Sequence, residues 1–322
     1  MSFSMQKVFF SCFIVVVTLL TGLLMKSGQT QAGGPPKKLD AGITEARRYW
    51  GGRVNVVGAE QAYAEFKDKY RENPPVAHII AHVVGDLMYE NVGSTALTIC
   101  DDAFNYGCFH QVVSDTMVDE GSPGLAQLDA FCGQKSDKEM DNCYHGIGHG
   151  VLGFFGPKHL TDALDGCATL RQSSSCEAGA FMEYYVPLII DGTDRSTQVR
   201  PMDAKKPYAP CDTAQIQERY KDSCYVALPH WWMQRSLEVK EVAVLCHGLP
   251  ERSVRSCVEG ISVDLPGSVN FDNAKVIAAC GTISDLTDRK YCLSASARMI
   301  EDFKKDACPI WAYLGEHRKQ CG

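Results

Sequence analysis

This sequence lacks most of the short motifs that mark nucleotide-binding and catalytic proteins. It contains no P-loop, no G-x-G-x-x-G dinucleotide motif, no G-x-S-x-G nucleophile elbow and no H-E-x-x-H zinc-protease motif. It also has no C-x-x-C cluster of the kind that holds structural zinc, and no C-x-x-C-H haem attachment motif. The common nucleotide-dependent and zinc-protease classes are therefore excluded, and haem stays open only as a non-covalently bound cofactor.

Concentrated positive charge is missing as well. The chain has 32 Lys and Arg against 39 Asp and Glu, a net charge of −7, and its basic residues form no block. This balance argues against nucleic acid and an anionic membrane surface as partners. No N-x-S/T sequon occurs, which favours a bacterial periplasm or exterior over a glycosylating secretory pathway.

One long apolar run stands at the N-terminus. Lys7 precedes the run, which covers residues 8–25, and the small-residue stretch ending at Ala32 is acceptable to a signal peptidase. Residues 1–32 are therefore predicted to be a signal peptide. Because the run is also just long enough to span a bilayer, an uncleaved membrane anchor is the alternative. Both predict an exported domain, periplasmic or extracellular, that contacts a membrane only through this segment.

The cysteines indicate a disulfide framework. There are 15, and Cys12 lies in the N-terminal segment. An even number in an exported chain favours disulfides over zinc–thiolate sites, particularly without C-x-x-C clusters. The other 14 form seven successive close pairs: Cys100 with Cys108, Cys132 with Cys143, Cys167 with Cys176, Cys211 with Cys224, Cys246 with Cys257, Cys280 with Cys292, and Cys308 with Cys321.

The same cysteines reveal a repeat. The second members of the first six pairs are 35, 33, 48, 33 and 35 residues apart, the period of a helix–turn–helix unit. Apolar residues recur with helical spacing, and strand-like alternation is missing. We expect an all-α fold in which these repeats stack as a short solenoid with one disulfide inside each repeat. Residues 33–322 would form a single domain, divided into a histidine-rich part (33–190), a loop (191–210) and C-terminal repeats (211–322).

Histidines occupy two fixed positions in this repeat, two and six residues after the second cysteine. In the first repeat Val76 stands at the cysteine position. Positions four apart lie on one helix face, and equivalent faces of stacked helices look into one groove. The histidines at these positions are His78, His82, His110, His145, His149 and, in a later repeat, His230. We expect the first five to converge, and we interpret His230 as structural.

Converging imidazoles predict a metal site. Burying several of them without a shared cation would leave unsatisfied donors, which is costly. Imidazole suits copper, iron and zinc. Asp115 and Glu183, each one residue past the inner-face position of its repeat, are the candidate catalytic carboxylates, as ligands, as partners that orient a histidine or as general bases. The sequence thus predicts an exported metal-binding protein, with metal-dependent oxidoreductase or hydrolase activity left open.

Glycines in the stretch DNCYHGIGHG allow two interpretations. Gly146, Gly148 and Gly150 of this stretch, and Gly153 just after it, each weaken a helix by about 1 kcal/mol relative to alanine. Either they permit close packing of helices, or they let ligands or a substrate approach the histidines.

A non-catalytic scaffold is the alternative function. Helical solenoids commonly bind a peptide or protein in their groove, and a small molecule could lie there too. This alternative predicts that Tyr184, Tyr185, Trp231 and Trp232 line the groove, although such aromatics are equally expected in a core. The repeats from Cys246 onward carry no visible chemistry, so we expect them to cap and extend the stack.

Overall fold

The computed structural model describes residues 42–71, 74–104, 106–187 and 199–321. The predicted signal peptide or anchor at residues 1–32 lies outside these ranges. Within them the regular secondary structure is entirely helical, without a strand, which confirms the all-α prediction. None of the helices in the described part of the chain has the length and hydropathy needed to cross a bilayer.

Thirteen α-helices lie within these ranges. Short 3₁₀ turns, such as Gly93–Thr98, connect some of them. The helices are α1 Gly42–Val57, α2 Ala59–Tyr70, α3 Pro74–Val92, α4 Gly107–Cys132, α5 Asp137–Phe155, α6 Leu160–Cys167, α7 Ser173–Tyr185, α8 Lys221–Gln234, α9 Val239–His247, α10 Glu251–Ser268, α11 Asn273–Gly281, α12 Leu286–Asp302 and α13 Cys308–Tyr313.

The longer helices pack side by side in chain order. Helix α3 contacts α4, α4 contacts α5, and the series continues through α7, α8 and α10 to α12. Shorter helices lie against this series: α6 against α5 and α7, α9 against α10, and α11 against α12. Corresponding faces of successive long helices are therefore neighbours.

Helix α4 contains a break at Gly121. This residue has φ 60° and ψ −140°, outside the helical region, and Pro123 follows shortly after. A Cβ atom at Gly121 would also lie 2.9 Å from the Phe154 ring. The break divides α4 into two parts. The second part ends at Cys132 and occupies the position of a short helix before α5.

Seven disulfides staple the described helices, and they join the partners that the cysteine pattern predicts. The bonds link Cys100 to Cys108, Cys132 to Cys143, Cys167 to Cys176, Cys211 to Cys224, Cys246 to Cys257, Cys280 to Cys292, and Cys308 to Cys321. The bonded residues are 8 to 13 positions apart, with Cα–Cα distances of 5.3 to 5.8 Å.

These bonds restrain the chain locally. Closing a loop of this size contributes about 3 kcal/mol in the loop-entropy treatment. Six of the bonds join a long helix to the helix or turn before it, and the seventh joins the first residue of α13 to the 3₁₀ turn Lys319–Cys321 after it. Each bond therefore restrains the chain locally, and the predicted presence of several intra-chain disulfides is confirmed.

The glycines of α5 lie where helices approach at backbone distance. A Cβ at Gly148 would be 2.0 Å from the Cys176 carbonyl oxygen on α7, and one at Gly150 would be 2.7 Å from the Ser114 oxygen on α4. Gly146 also faces the α4 backbone. These contacts favour the close-packing interpretation at all three positions, and at Gly148 and Gly150 no side chain fits.

The central aromatic residues belong to the core. Tyr185, Trp231 and Trp232 are buried, and the Tyr185 and Trp231 rings stack with centroids 4.5 Å apart. Both indole N–H groups donate to backbone carbonyl oxygens between residues 199 and 210. These aromatics anchor the end of the predicted loop instead of lining a groove.

Candidate metal centre

The structure brings the five predicted histidines into one continuous row. His78 and His82 on α3 have ring centroids 4.9 Å apart, and their distances to His110 on α4 are 6.5 and 6.0 Å. The His110 ring lies 5.6 Å from His145 on α5, which lies 4.9 Å from His149. Three adjacent helices thus present imidazoles on the same face, as the repeat positions predict.

Close helix packing is what brings the rings into contact. A Cβ at Gly107 would lie 2.7 Å from the His78 carbonyl oxygen, so α3 and α4 approach closely beside this histidine. A Cβ at Gly179 would lie 2.0 Å from the His145 carbonyl oxygen, so α5 and α7 do the same.

His149 is oriented by a carboxylate. Its Nδ1 donates to Glu183 Oε2 at 2.9 Å, and both side chains are 4% exposed. This bond assigns the proton to Nδ1 and leaves a lone pair on Nε2 in the neutral ring. Glu183, one of the two predicted catalytic carboxylates, therefore contacts the histidine row directly.

Two imidazole nitrogens face one another at this end of the row. His149 Nε2 lies 3.1 Å from His145 Nε2. Two nitrogens that coordinate one metal ion tetrahedrally at 2.0–2.1 Å are about 3.3 Å apart. The observed contact is an N–H···N hydrogen bond, which His145 Nε2 donates to His149 Nε2 while the His149 proton lies on Nδ1, so a bound ion would replace this bond.

At the opposite end of the row, the side-chain amide of Gln111 lies between His82 and Asp115, the other predicted catalytic carboxylate. His82 Nδ1 lies 3.4 Å from Gln111 Oε1, and Gln111 Nε2 donates to Asp115 Oδ1 at 2.8 Å. Asp115 therefore reaches the row through Gln111. Burial raises the pKa of Asp115 to about 8, and the negative charge of Asp86 adds to the effect. Near neutral pH this carboxyl is protonated and is a poor general base.

His110 in the middle of the row has an unsatisfied nitrogen. Its side chain is 6% exposed, and its Nε2 is buried without a hydrogen-bond partner among the described residues. A buried polar atom in this state costs about 1 to 3 kcal/mol. A bound ligand at Nε2 would remove that cost.

The row favours uncharged imidazoles. Burial lowers the pKa of His110 well below its usual value, and repulsion from the neighbouring histidines, His145 first, lowers it further. Burial likewise lowers the pKa of His145 to about 3, with His149 as the next contribution. Both rings are therefore neutral at pH 7, the protonation state that metal coordination requires.

A complete metal-binding group is nevertheless absent from the described residues. No three His, Cys, Asp or Glu side chains there are placed together so that they could hold one ion. Within each pair on one helix the imidazoles lie edge to face, while His145 and His149 direct nitrogens at each other.

A second histidine–carboxylate pair lies outside the predicted site. His230 Nδ1 on α8 donates to Asp264 Oδ1 on α10 at 2.9 Å. Asp264 follows His230 by 34 residues, as Glu183 follows His149 by 34. The spacing was visible in the sequence, since each carboxylate stands seven residues after its repeat's second cysteine, one repeat beyond its histidine.

No protein-family model, curated protein or solved structure matches this chain. Its function must therefore be argued from its own residues. The disulfides of the described part are consistent with an oxidising, extracytoplasmic environment.

Proposed function

We propose that this chain is an exported protein that binds a transition metal ion, copper, iron or zinc, through its row of histidines. The observation that carries the proposal is the geometry at His149. Its Nδ1 is held by Glu183, while its Nε2 lies 3.1 Å from the Nε2 of His145. A carboxylate that fixes the tautomer and orientation of a histidine is the usual outer partner of a metal ligand.

Burial and protonation state also support coordination at this end of the row. His145 is neutral at pH 7 because its pKa is lowered to about 3. His110, whose Nε2 has no partner among the described residues, is the neighbouring imidazole with a lone pair to contribute. The donor set is rich in nitrogen, which suits copper, iron and zinc better than magnesium or calcium.

The row offers a position for one ion or for two. His78 and His82 have the same ring separation as His145 and His149, 4.9 Å in both pairs, with His110 between them. We infer that the chain-order packing of the long helices forms a short solenoid, which places both pairs on one inner face. The contacts from α3 to α12 support this arrangement.

A bound ion would supply Lewis acidity or redox chemistry, so metal-dependent hydrolase and oxidoreductase activities follow as the candidate classes. The protein's contribution is to hold a proton on His149 Nδ1 through Glu183. His78 and His145 are only partly buried, so small molecules can reach the row from solvent.

The scaffold alternative has less support. Three of its four predicted groove residues, Tyr185, Trp231 and Trp232, are core residues, and the fourth, Tyr184, is partly buried. A peptide ligand would have to be recognised by other side chains, and metal binding remains the function with specific geometric support.

Equilibrium dialysis of the tag-free protein against Cu(II), Zn(II) or Fe(II) tests the proposal. Wild type should retain a tightly bound ion, and His145→Gln and His149→Gln should lose it. His159→Gln is the matched control, because His159 is 62% exposed and bonds a carboxylate, Asp162, away from the row. Absence of uptake by wild type, or unchanged uptake by both row variants, would refute metal binding.

A further inference from the structure

His78, at the N-terminal end of the histidine row, is held by a backbone carbonyl. Its Nδ1 lies 2.7 Å from the oxygen of Phe104. A carbonyl oxygen only accepts, so Nδ1 donates and the neutral ring carries its lone pair on Nε2. The Phe104 carbonyl thus does for His78 what the Glu183 carboxylate does for His149, whose Nδ1 it holds at 2.9 Å.

The backbone at this carbonyl is strained. Phe104 has φ 53° and Tyr106 has φ 61°, in the left-handed region that residues other than glycine adopt at a cost in energy. Neither position has the glycine or asparagine that such a conformation favours. Strain of this kind persists only where the surroundings hold it, and it clusters at functional sites.

Both aromatic side chains make contacts that a glycine would lose. The Phe104 ring packs against Phe66 on α2, with the ring centroids 5.0 Å apart. The Tyr106 ring lies nearly parallel to the His110 imidazole, with an angle of 25° between the planes and 6.2 Å between the centroids. The first contact supports the residue whose carbonyl holds His78, and the second limits rotation of the His110 ring.

A disulfide closes the backbone around these two residues. The Cys100–Cys108 bond links the chain before Phe104 to the first turn of α4, eight positions later. A Cβ at Gly107 would lie 3.2 Å from His78 Nδ1, so α4 begins directly against this histidine. The bond therefore joins the two ends of the backbone that holds His78.

We propose that the Cys100–Cys108 disulfide, together with Phe104 and Tyr106, positions His78 and His110 for coordination, and the consequence for metal binding rests on the proposed function. Phe104 and Tyr106 are positioning residues, since they act through the two imidazoles. This bond then determines the metal affinity of the row as well as the stability of the fold.

Nitrogen-15 NMR of the full exported chain, labelled at histidine and freed of metal by a chelator, tests the positioning without a bound ion. His78→Gln assigns the signals of that ring, and wild type should show His78 with its proton on Nδ1. In the double variant Cys100→Ala with Cys108→Ala, checked first by thermal unfolding, we expect His78 to exchange between both tautomers. If this variant does not fold, Phe104→Gly, which keeps the disulfide and removes the ring packed on α2, is measured in its place.

A second disulfide provides the matched control for the NMR comparison. Cys246→Ala with Cys257→Ala removes the bond between α9 and α10, where the cysteines are 11 positions apart. We expect the His78 signals of this variant to match those of wild type. The same change in both double variants would mean that His78 responds to general loss of stability.

Zinc affinity, measured by competition with a chromogenic chelator, tests the role of Tyr106. Tyr106→Asn keeps a residue that tolerates left-handed backbone and removes the ring beside His110. We expect it to weaken binding by about 10-fold, and Tyr106→Phe to retain wild-type affinity. Asp102→Asn is the control, because Asp102 is 56% exposed and pairs with Lys304.

The outcomes separate this inference from the proposed function. A His78 tautomer unchanged from wild type in the folded double variant would overturn the role of the Cys100–Cys108 bond. Zinc affinity unchanged in Tyr106→Asn would overturn the role of Tyr106. If wild type binds neither zinc, copper nor iron, the proposed function fails, and the tautomer of His78 still decides whether the bond positions this ring.

Discussion

The repeats from α3 to α7 and those from α8 to α12 are built alike. Both are stapled by local disulfides, and both use glycine where long helices touch. A Cβ at Gly148 would lie 2.0 Å from the Cys176 carbonyl oxygen, and a Cβ at Gly260 would lie 2.1 Å from the Val226 carbonyl oxygen. The disulfides and the contact glycines therefore do not distinguish the two regions.

The residues two and six positions after the second cysteine do distinguish them. Two and six residues after the second cysteine, α5 has His145 and His149, whereas α10 has Glu259 and Val263. Helix α8 retains only His230 in this pattern. The comparison teaches that disulfides and glycines determine the fold in both regions, while the side chains at two positions per repeat determine where chemistry can occur.

Substituting the contact glycines should have the largest effect, and it should be equal in the two regions. Gly148→Ala and Gly260→Ala each place a methyl group against a backbone carbonyl that cannot rotate away, so we expect a loss of about 3 kcal/mol or more. Gly267→Ala is the control, because open space surrounds it, and it should be neutral or slightly stabilising. Urea unfolding measures all three. If Gly260→Ala leaves the free energy of unfolding unchanged, the two regions do not depend equally on their contact glycines.

Removing one disulfide from each region should distinguish an effect on stability from an effect on metal binding. We expect the double variants Cys132→Ala with Cys143→Ala, and Cys280→Ala with Cys292→Ala, each to lower the free energy of unfolding by about 3 kcal/mol, since the closed loops are similar in length. Only the first double variant should weaken metal binding, because Cys143 precedes His145 on α5. Equal loss of metal affinity in both variants would contradict this division.

Acid should destabilise the histidine-rich region selectively. The pKa of His145 falls from 6.5 to about 3 on folding, so the folded ring binds fewer protons than the unfolded one. Stability is therefore complete above pH 6.5 and declines towards pH 3, with a limiting slope of about 1.4 kcal/mol per pH unit. Unfolding of chelator-treated His145→Gln at pH 4 to 7 should show a smaller decline than wild type, and an identical decline would contradict the lowered pKa.

Asp115 should give a smaller effect of opposite sign. Its pKa rises from 3.8 to about 8 on folding, so the folded carboxyl binds more protons and its contribution weakens as the pH rises through this range. Asp115→Asn should therefore stabilise the protein more at pH 8 than at pH 4. The reverse order in urea unfolding at the two pH values would refute the raised pKa.

Much of the fold follows from the sequence because its signals are periodic. The spacing of Cys143, Cys176 and their counterparts predicts helical units with local disulfides, and the structure has both. The convergence of His110 with His145 follows from the same period, since equal positions in adjacent repeats share a face. The predicted signal or anchor lies outside the described residues, and the compartment stays a prediction.

The remaining features depend on contacts that a period does not specify. The sequence left the role of Gly148 undecided, because only the distance between α5 and α7 shows that a backbone carbonyl occupies the space. It led us to interpret His230 as structural without identifying Asp264 on α10 as its hydrogen-bond partner. The amide of Gln111, which separates Asp115 from the histidines, depends on side-chain rotamers that no pattern predicts.

The most direct test of the account is the metal content of the tag-free exported protein, measured by plasma mass spectrometry. We expect about one or two equivalents of copper, iron or zinc in wild type and in His247→Gln, and a loss of this metal in the double variant His145→Gln with His149→Gln. Wild type that is recovered without metal and takes up none of the three ions would contradict the account.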